Sequence, residues 1–299
     1  MHYLLVVLLL LWSVPVLGCD ICGSNTASSV VDFNSAQPKS FIQHTFFVKK
    51  IDFQDPGNDL DHSIMWGQLY TGAYSLKSKA EFRATLPVIF LNNRYKSATA
   101  QKNWGLGDAM LQVNTKIIDA LPFGDKKWRH TLIGTGGIEL PTGSYVLTED
   151  PLLTNVAFGS RSLDFLLGAQ YRMSKFKGAF STGIFAKLNT MNRNQLQYGH
   201  QYSWFAQGTY KFLDKKTEWQ ASLGSRFEHN NRNILNNIYQ SKSGGDILQV
   251  MTGIHGGKKQ WSWGISYQQP VWQKNGKDAF LHGSTLITTL QYQFKIKKQ

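Results

Sequence analysis

Apolar and polar residues alternate with a period of two over most of the chain after residue 40. In one segment the apolar face carries Leu163, Phe165, Leu167, Ala169, Tyr171 and Met173, opposite Ser162, Asp164, Gly168, Gln170 and Arg172. Successive side chains of a β-strand point to opposite faces of a sheet, so the pattern predicts strands with one apolar and one polar face. Runs of about ten or more residues are longer than most strands of soluble proteins.

About twelve such segments follow one another along the chain. Their predicted starts lie near Phe41, Ser63, Lys79, Asp108, Arg129, Ser162, Lys177, Gln201, Thr217, Asp246, Lys259 and Ser284. Short connections alternate with long polar ones. The short ones are residues 76–78, 122–127, 174–176, 213–216 and 256–258, and the long ones are residues 54–62, 91–107, 141–161, 190–199, 229–245 and 271–283.

An even number of strands with short turns at one rim and long loops at the other is typical of bacterial outer-membrane β-barrels. The sequence therefore predicts an all-β chain, a single transmembrane antiparallel up-and-down β-barrel over residues 41–299, with both barrel termini periplasmic. A sheet in hydrocarbon must close on itself, because lipid offers its backbone no hydrogen-bond partners. A soluble barrel or sandwich is the alternative, and its aromatic side chains would face inward rather than toward lipid headgroups.

The N-terminus predicts export. Residues 4–12 form an unbroken apolar run that is too short to span a membrane as a helix, and polar sequence begins at Asp20. We assign residues 1–18 to a signal peptide and residues 19–40 to an N-terminal periplasmic segment. Cleavage after Gly18 fits an ordinary signal peptidase, but the tetrapeptide that ends in Cys19 is also similar to a lipobox, in which Cys19 would carry an acyl chain.

Cys19 and Cys22 form a C-x-x-C motif and are the two cysteines of the chain. In an exported protein they are candidates for a small disulfide, a redox pair or a metal site. A zinc site needs about four ligands, and no second C-x-x-C supplies the others. The favoured interpretation is a disulfide, or an acylated cysteine beside a spare thiol.

Three sequence segments resemble a known family. Gly105-Leu106-Gly107-Asp108 opens a strand, Leu140-Pro141-Thr142-Gly143 ends the next, and Leu167-Gly168-Ala169-Gln170-Tyr171-Arg172 lies within a further strand. Their order resembles the outer-membrane transporter family named after the meta-pathway of phenol degradation, which is related to the hydrophobic-solute channels. The resemblance covers residues 105–192 well and the flanks by architecture alone. It implies a β-barrel that passes small molecules through the outer membrane of a Gram-negative bacterium.

The net charge and its distribution along the chain limit the classes of molecule that this protein binds. The 299 residues include 32 Lys and Arg against 19 Asp and Glu, for a net charge of +13. Much of the excess lies in the short turns and the C-terminal tail, where it would face anionic lipid headgroups. Export and the lack of a clustered basic helix argue against nucleic acid as the partner. The predicted partners are outer-membrane lipid and a small solute, with no cofactor; the oligomeric state stays open.

The polar faces of the strands predict what lines the barrel. Basic and acidic residues are nearly balanced there, whereas a strongly anion-selective pore would show a one-signed ring. A self-neutralising network is therefore favoured over a dedicated solute site. The candidate solute contacts are Arg83, Arg172, Lys187, Lys211, Arg226, Glu81, Asp164 and Phe205.

The predicted function is passive passage of a small, amphipathic or aromatic solute, without enzymatic activity. Two alternatives are weighed against it. The first is a lipid-modifying barrel enzyme, for which His282 and Ser284 share a strand face, although no G-x-S-x-G or H-E-x-x-H motif is present. The second is a barrel whose Cys19 and Cys22 bind or sense a metal.

Overall fold

Sixteen strands account for the secondary structure in the computed structural model, which describes residues 40–53, 60–76, 79–95, 101–121, 128–144, 158–213, 217–241, 243–275 and 280–294. The strands are β1 (Ser40–Phe53), β2 (Leu60–Leu76), β3 (Ala80–Tyr95), β4 (Gln101–Leu106), β5 (Ala109–Leu121), β6 (Arg129–Leu140), β7 (Asp164–Lys175), β8 (Gly178–Leu188), β9 (Leu196–Gln197), β10 (Gln201–Leu213), β11 (Glu218–Asn230), β12 (Ile234–Leu235), β13 (Ile238–Tyr239), β14 (Gly245–Lys258), β15 (Trp261–Asn275) and β16 (Phe280–Phe294). Within these ranges no helix is long and apolar enough to cross a membrane.

The first and last strands close the sheet into a barrel. Strand β1 pairs with β2 on one side and with β16 on the other, and Ser40 lies opposite Phe294. All neighbours are antiparallel, and the closed barrel has 12 strands, as the alternation predicted. Strands β4 and β5 act as one of these, because β4 pairs with one half of β3 and β5 with the other.

The two rims of the barrel differ. We call the rim that holds Ser40, Phe294 and the short turns the terminal rim, and the opposite one the loop rim. The predicted strand starts lie within a few residues of the observed ones, but three predicted loops are shorter than expected. The predicted loop 91–107 is mostly strand, since β3 continues to Tyr95 and β4 begins at Gln101. Strand also occupies residues 60–62 of the predicted loop 54–62, and residues 271–275 and 280–283 of the predicted loop 271–283.

These strands continue because backbone pairing does not stop where lipid stops. Beyond the membrane a strand keeps its hydrogen bonds but loses the need for an apolar outer face. Polar sequence therefore marks the end of the lipid-facing band and not the end of the strand. The signal peptide and the N-terminal segment assigned from the sequence lie outside the described residues, apart from Ser40.

A small sheet joins two loops at the loop rim. Strand β12 pairs with β9 on one side and with β13 on the other. Leu196 and Tyr198 are buried there and pack against Leu235. Strands of two residues have no readable period, so the sequence predicts only two separate loops here, residues 190–199 and 229–245.

The barrel wall is apolar outside and largely polar inside. Leu167 is 53% exposed and Leu163 and Phe165 are exposed as well, whereas Asp164 and Gln170 on the same segment are buried. This arrangement is the reverse of a soluble protein and matches a wall in contact with lipid.

Aromatic side chains form two bands on the outer wall. Toward the loop rim, Trp66 stacks on Phe90 with their ring centroids 3.8 Å apart, and Trp104 lies beyond them. Toward the terminal rim, Trp219 meets Trp263 edge to face at 5.9 Å. Such bands mark the headgroup layers of a membrane-spanning barrel. Trp66 lies well inside β2, as expected if the strand continues beyond the lipid.

We expect Leu167→Arg to lower the free energy of unfolding by about 2–4 kcal/mol in lipid vesicles, because a charge on the lipid face must enter hydrocarbon. Leu167 lies midway between Leu163 and Tyr171 on the outer face. Denaturant titration of protein folded into vesicles measures the change. Leu167→Met is the matched control, since it keeps an apolar side chain of similar size. An equal cost for the two variants would contradict a lipid-facing wall.

Candidate functional site

Strand alternation brings most of the predicted solute contacts into the barrel interior. Arg83, Arg172, Lys187, Arg226, Glu81, Asp164 and Phe205 are all buried, each no more than 8% exposed. Lys211 is different: it lies near the terminal rim, its side chain is 42% exposed, and its Nζ is 3.9 Å from the carboxylate of Glu218.

The first interior charge cluster lies toward the terminal rim. Arg83 donates a hydrogen bond to Glu81 at 2.6 Å, and the amide of Asn114 donates to the same carboxylate oxygen at 3.2 Å. The Arg83 guanidinium also lies over the ring of Phe41, 5.4 Å from its centroid. Each charge therefore has a partner within the wall, which offsets the cost of its burial.

The second cluster lies at the loop-rim ends of three strands. Lys187 Nζ is 2.8 Å from Glu139 and 3.6 Å from Asp164. Asp164 also accepts a hydrogen bond from the backbone N–H of Thr190 at 2.8 Å. Lys187 thus links β6, β7 and β8. Asp164 holds the loop after β8 against the barrel wall.

Arg226 follows the same rule of local pairing, and Arg172 lies between two hydroxyl side chains. Arg226 Nε lies 2.8 Å from Glu228 on its own strand. Arg172 stands between Thr131 and Ser181 in the strand ladder, and all three side chains are buried. These pairings fit the self-neutralising network favoured by the sequence, in place of a one-signed charge ladder.

Part of the interior is apolar, although the polar strand faces predict a polar lining. A buried cluster spans the inner faces of β1, β2, β3 and β16 and includes one loop residue; it consists of Phe47, Ile51, Met65, Leu69, Ile89, Leu91, Phe158 and Ile287. We call it the apolar wall. Its sequence signal is a loss of alternation, since Val88, Ile89, Phe90 and Leu91 are apolar on both faces.

A carboxylate holds the loop that delivers Phe158 to the apolar wall. Asp108 accepts hydrogen bonds from the backbone N–H of Gly143 at 2.7 Å and from the hydroxyl of Ser160 at 2.7 Å. A Cβ at Gly105 would lie 2.7 Å from the Phe158 ring, so only glycine leaves room for it. Two of the three segments that carry the family resemblance, residues 105–108 and 140–143, therefore meet here, and their structural role is to hold a loop in place.

A second aromatic group lies on the opposite side of the interior. Phe185 and Phe205 stack with their centroids 6.1 Å apart, and Met251 packs against Phe205. A Cβ at Gly183 would lie 2.6 Å from the Phe205 ring, which places that ring flat against a neighbouring strand. The Phe205 side chain therefore packs against the inner wall and narrows the barrel interior.

Uncharged amides lie on β10, which carries Phe205, and on the three strands that follow it around the barrel. Gln207, Gln220, Gln249 and Gln268 are buried on β10, β11, β14 and β15. Within the described part of the chain, none of their side-chain oxygens has a protein hydrogen-bond partner. We call these residues the amide wall. Buried amides of this kind need water or a solute to satisfy them.

The pair proposed for an enzyme does not share a strand face. Between Lys49 and Ile51 the pairing of β1 with β16 shifts by one residue, and Gly283 and Ser284 fall at this bulge. His282 and Thr285 are both buried, so the alternation changes phase between them and Ser284 is not on the face of His282. A bulge cannot be read from residue spacing.

No group of three or more His, Cys, Asp or Glu side chains among the described residues could hold a metal ion. Cys19 and Cys22, the predicted metal, disulfide or lipidation positions, lie outside the described residues. Their role stays a prediction.

Solved structures share this architecture. An outer-membrane channel from Pseudomonas putida F1 is similar over 88% of this chain and 98% of its own, with a TM-score of 0.62 and 14% sequence identity. This chain has the fold of an outer-membrane β-barrel. The NanC porin (TM-score 0.44, 9% identity, 86% of this chain and 100% of that one) and LpxR from Salmonella typhimurium (0.39, 9%, 84% and 100%) are more distant.

No protein-family model and no curated protein sequence matches the chain. The resemblance to the meta-pathway transporter family is therefore supported at the level of the barrel, and membership stays a prediction.

We expect Lys187→Met to lower the free energy of unfolding by about 3–5 kcal/mol, because Glu139 and Asp164 would remain buried without their cation. Denaturant titration in vesicles measures the loss. Lys211→Met is the matched control: it removes an exposed partner of Glu218 and should cost less than about 1 kcal/mol. Similar losses for the two variants would contradict the buried network.

We expect Asp108→Ala to accelerate hydrogen exchange at the amides of Gly143 and Ser160 by at least about tenfold, since a hydrogen bond to a charged group contributes about 1.5–3 kcal/mol. Exchange read by mass spectrometry of overlapping peptides tests this. In the control Thr142→Val, which removes the hydroxyl that accepts from the Ala109 N–H at 2.9 Å, the Ser160 amide should keep its wild-type rate. Unchanged exchange in Asp108→Ala would show that another contact holds the loop.

Proposed function

We propose that this protein is a channel of the Gram-negative outer membrane that passes a small amphipathic or aromatic solute passively. The observation that carries the proposal is the contrast between two adjoining surfaces of the interior. The apolar wall lies on β3, β2, β1 and β16, and the amide wall continues from it around the barrel on β15, β14, β11 and β10. A solute with an apolar face and a polar edge can pack its face on the apolar wall and form hydrogen bonds from its edge to the amide wall.

The interior electrostatics support a solute without a large net charge. Arg83, Lys187 and Arg226 each have a carboxylate partner within 2.8 Å. A charged solute would have to compete with those carboxylates, whereas the amides of the amide wall are not engaged by protein groups at their oxygens. Selectivity then comes from hydrogen bonding and apolar contact rather than from a charged ring.

The orientation in the membrane follows the general rule for these barrels. Short turns lie at the periplasmic rim and long loops at the extracellular rim. The terminal rim carries the short turns, so we place it in the periplasm together with both ends of the barrel. The lysines of this rim would then face the phospholipid headgroups of the inner leaflet.

Solute flux into vesicles tests the proposal. Tryptophan, glucose and arginine differ in apolar area and charge, and none crosses pure bilayers quickly. In vesicle-swelling measurements we expect tryptophan to enter several times faster than glucose or arginine. Rates equal to those of protein-free vesicles, or no preference for tryptophan, would contradict the proposal.

A variant of the apolar wall links the preference to its residues. Ile89→Asn puts an amide into the apolar wall and should reduce the ratio of tryptophan to glucose flux toward one. Val88→Asn is the matched control, because Val88 is the adjacent residue on the other face of β3 and should leave the ratio unchanged. A changed ratio in the control would point to a general loosening of the barrel.

A further inference from the structure

A groove lies on the outer wall beside the terminal rim. It has a volume of about 570 Å³, within the range of about 300–1,000 Å³ that is usual for ligand sites. The side chains that line it come from four neighbouring strands and the residue before β6; they include Trp128, Met173, Lys175, Phe180, Tyr210 and Leu223.

Small residues make the floor of the groove. Gly208 lies opposite Phe180 on β8 and Leu223 on β11, while Gly178 and Ala221 lie opposite Tyr210. A Cβ at Gly208 would meet nothing closer than the Leu223 carbonyl oxygen at 3.8 Å, so the space above Gly208 is open.

Large apolar side chains form the ridges. Phe180, Tyr210 and Leu223 are 42%, 56% and 63% exposed, which places them on the lipid-facing side. On a smooth barrel wall an acyl chain contacts the protein on one side, whereas in a trough between ridges it contacts the protein on three sides.

The end of the groove at the rim is cationic. Lys175 Nζ lies 5.0 Å from the centroid of the Trp128 ring and 5.9 Å from that of Phe176. Phe176 is 84% exposed at the turn between β7 and β8, and Lys177 follows it. An apolar ring between two lysines suits the boundary where acyl chains meet phosphates.

We propose that this groove binds one acyl chain of an anionic glycerophospholipid, whose phosphate lies at Lys175. The apolar trough supplies the site for the chain and the rim lysines supply the charge complement for the headgroup. The site is on the outer wall, apart from the solute path, and would place an ordered lipid against β8, β10 and β11.

Native mass spectrometry of the purified protein titrated with phosphatidylglycerol tests the proposal. We expect the wild type to bind one phosphatidylglycerol with higher affinity than any further copy. Gly208→Phe fills the trough and should weaken that first binding at least tenfold. The matched control is Gly72→Phe, because Gly72 faces lipid on β2 and a Cβ there has nothing within 4 Å. It should bind phosphatidylglycerol as the wild type does.

Equal binding by Gly208→Phe and Gly72→Phe would overturn the proposal, as would a wild type without a distinct first lipid. Circular dichroism confirms that each variant keeps its strands. If Gly208→Phe does not fold, Gly208→Val fills part of the same trough with a residue that strands favour, and the same loss of the first lipid is expected.

A headgroup comparison tests the cationic end. The wild type should prefer phosphatidylglycerol to phosphatidylcholine, and Lys175→Gln should reduce that preference about fivefold, the equivalent of about 1 kcal/mol per charge near the surface. An unchanged preference would show that the phosphate does not lie at Lys175, and would overturn that half of the proposal.

Discussion

Backbone hydrogen bonding in lipid is the constraint on which this structure depends. Each N–H and C=O in hydrocarbon needs a partner within the protein, so the sheet must have no free edge. The pairing of β1 with β16 removes the last edge. Once the sheet is closed, strand alternation divides all side chains between lipid and interior, and the remaining features follow from that division.

Inside the barrel, burial favours pairing of the charged side chains. Cations and carboxylates lie next to each other on the same or neighbouring strands, as Arg226 and Glu228 do, because an unpaired buried charge is costly. The charges therefore hold the wall together and leave apolar and amide surfaces for a solute. The interior is built more for hydrogen bonding and apolar contact than for ion selection.

Glycine acts in two ways in this barrel. At Gly105 it makes room for the ring of the loop residue Phe158, which packs into the interior. At Gly183 it makes room for the ring of Phe205, which packs against the inner wall. At Gly208 it leaves a trough on the lipid side. The same absence of a side chain thus shapes the interior and the outer surface, depending only on which face the residue occupies.

The sequence by itself determined that twelve strands form the barrel and which of their faces meets lipid, because a period of two and the demand for closure leave few alternatives. It also identified Glu81, Arg83 and Lys187 as interior residues. Tertiary structure alone decided which charges pair, that Phe158 joins the apolar wall, and that a bulge separates His282 from Ser284. Strand periodicity specifies the face of a side chain, whereas register, bulges and loop paths specify its neighbours, and these depend on contacts between residues far apart in the chain.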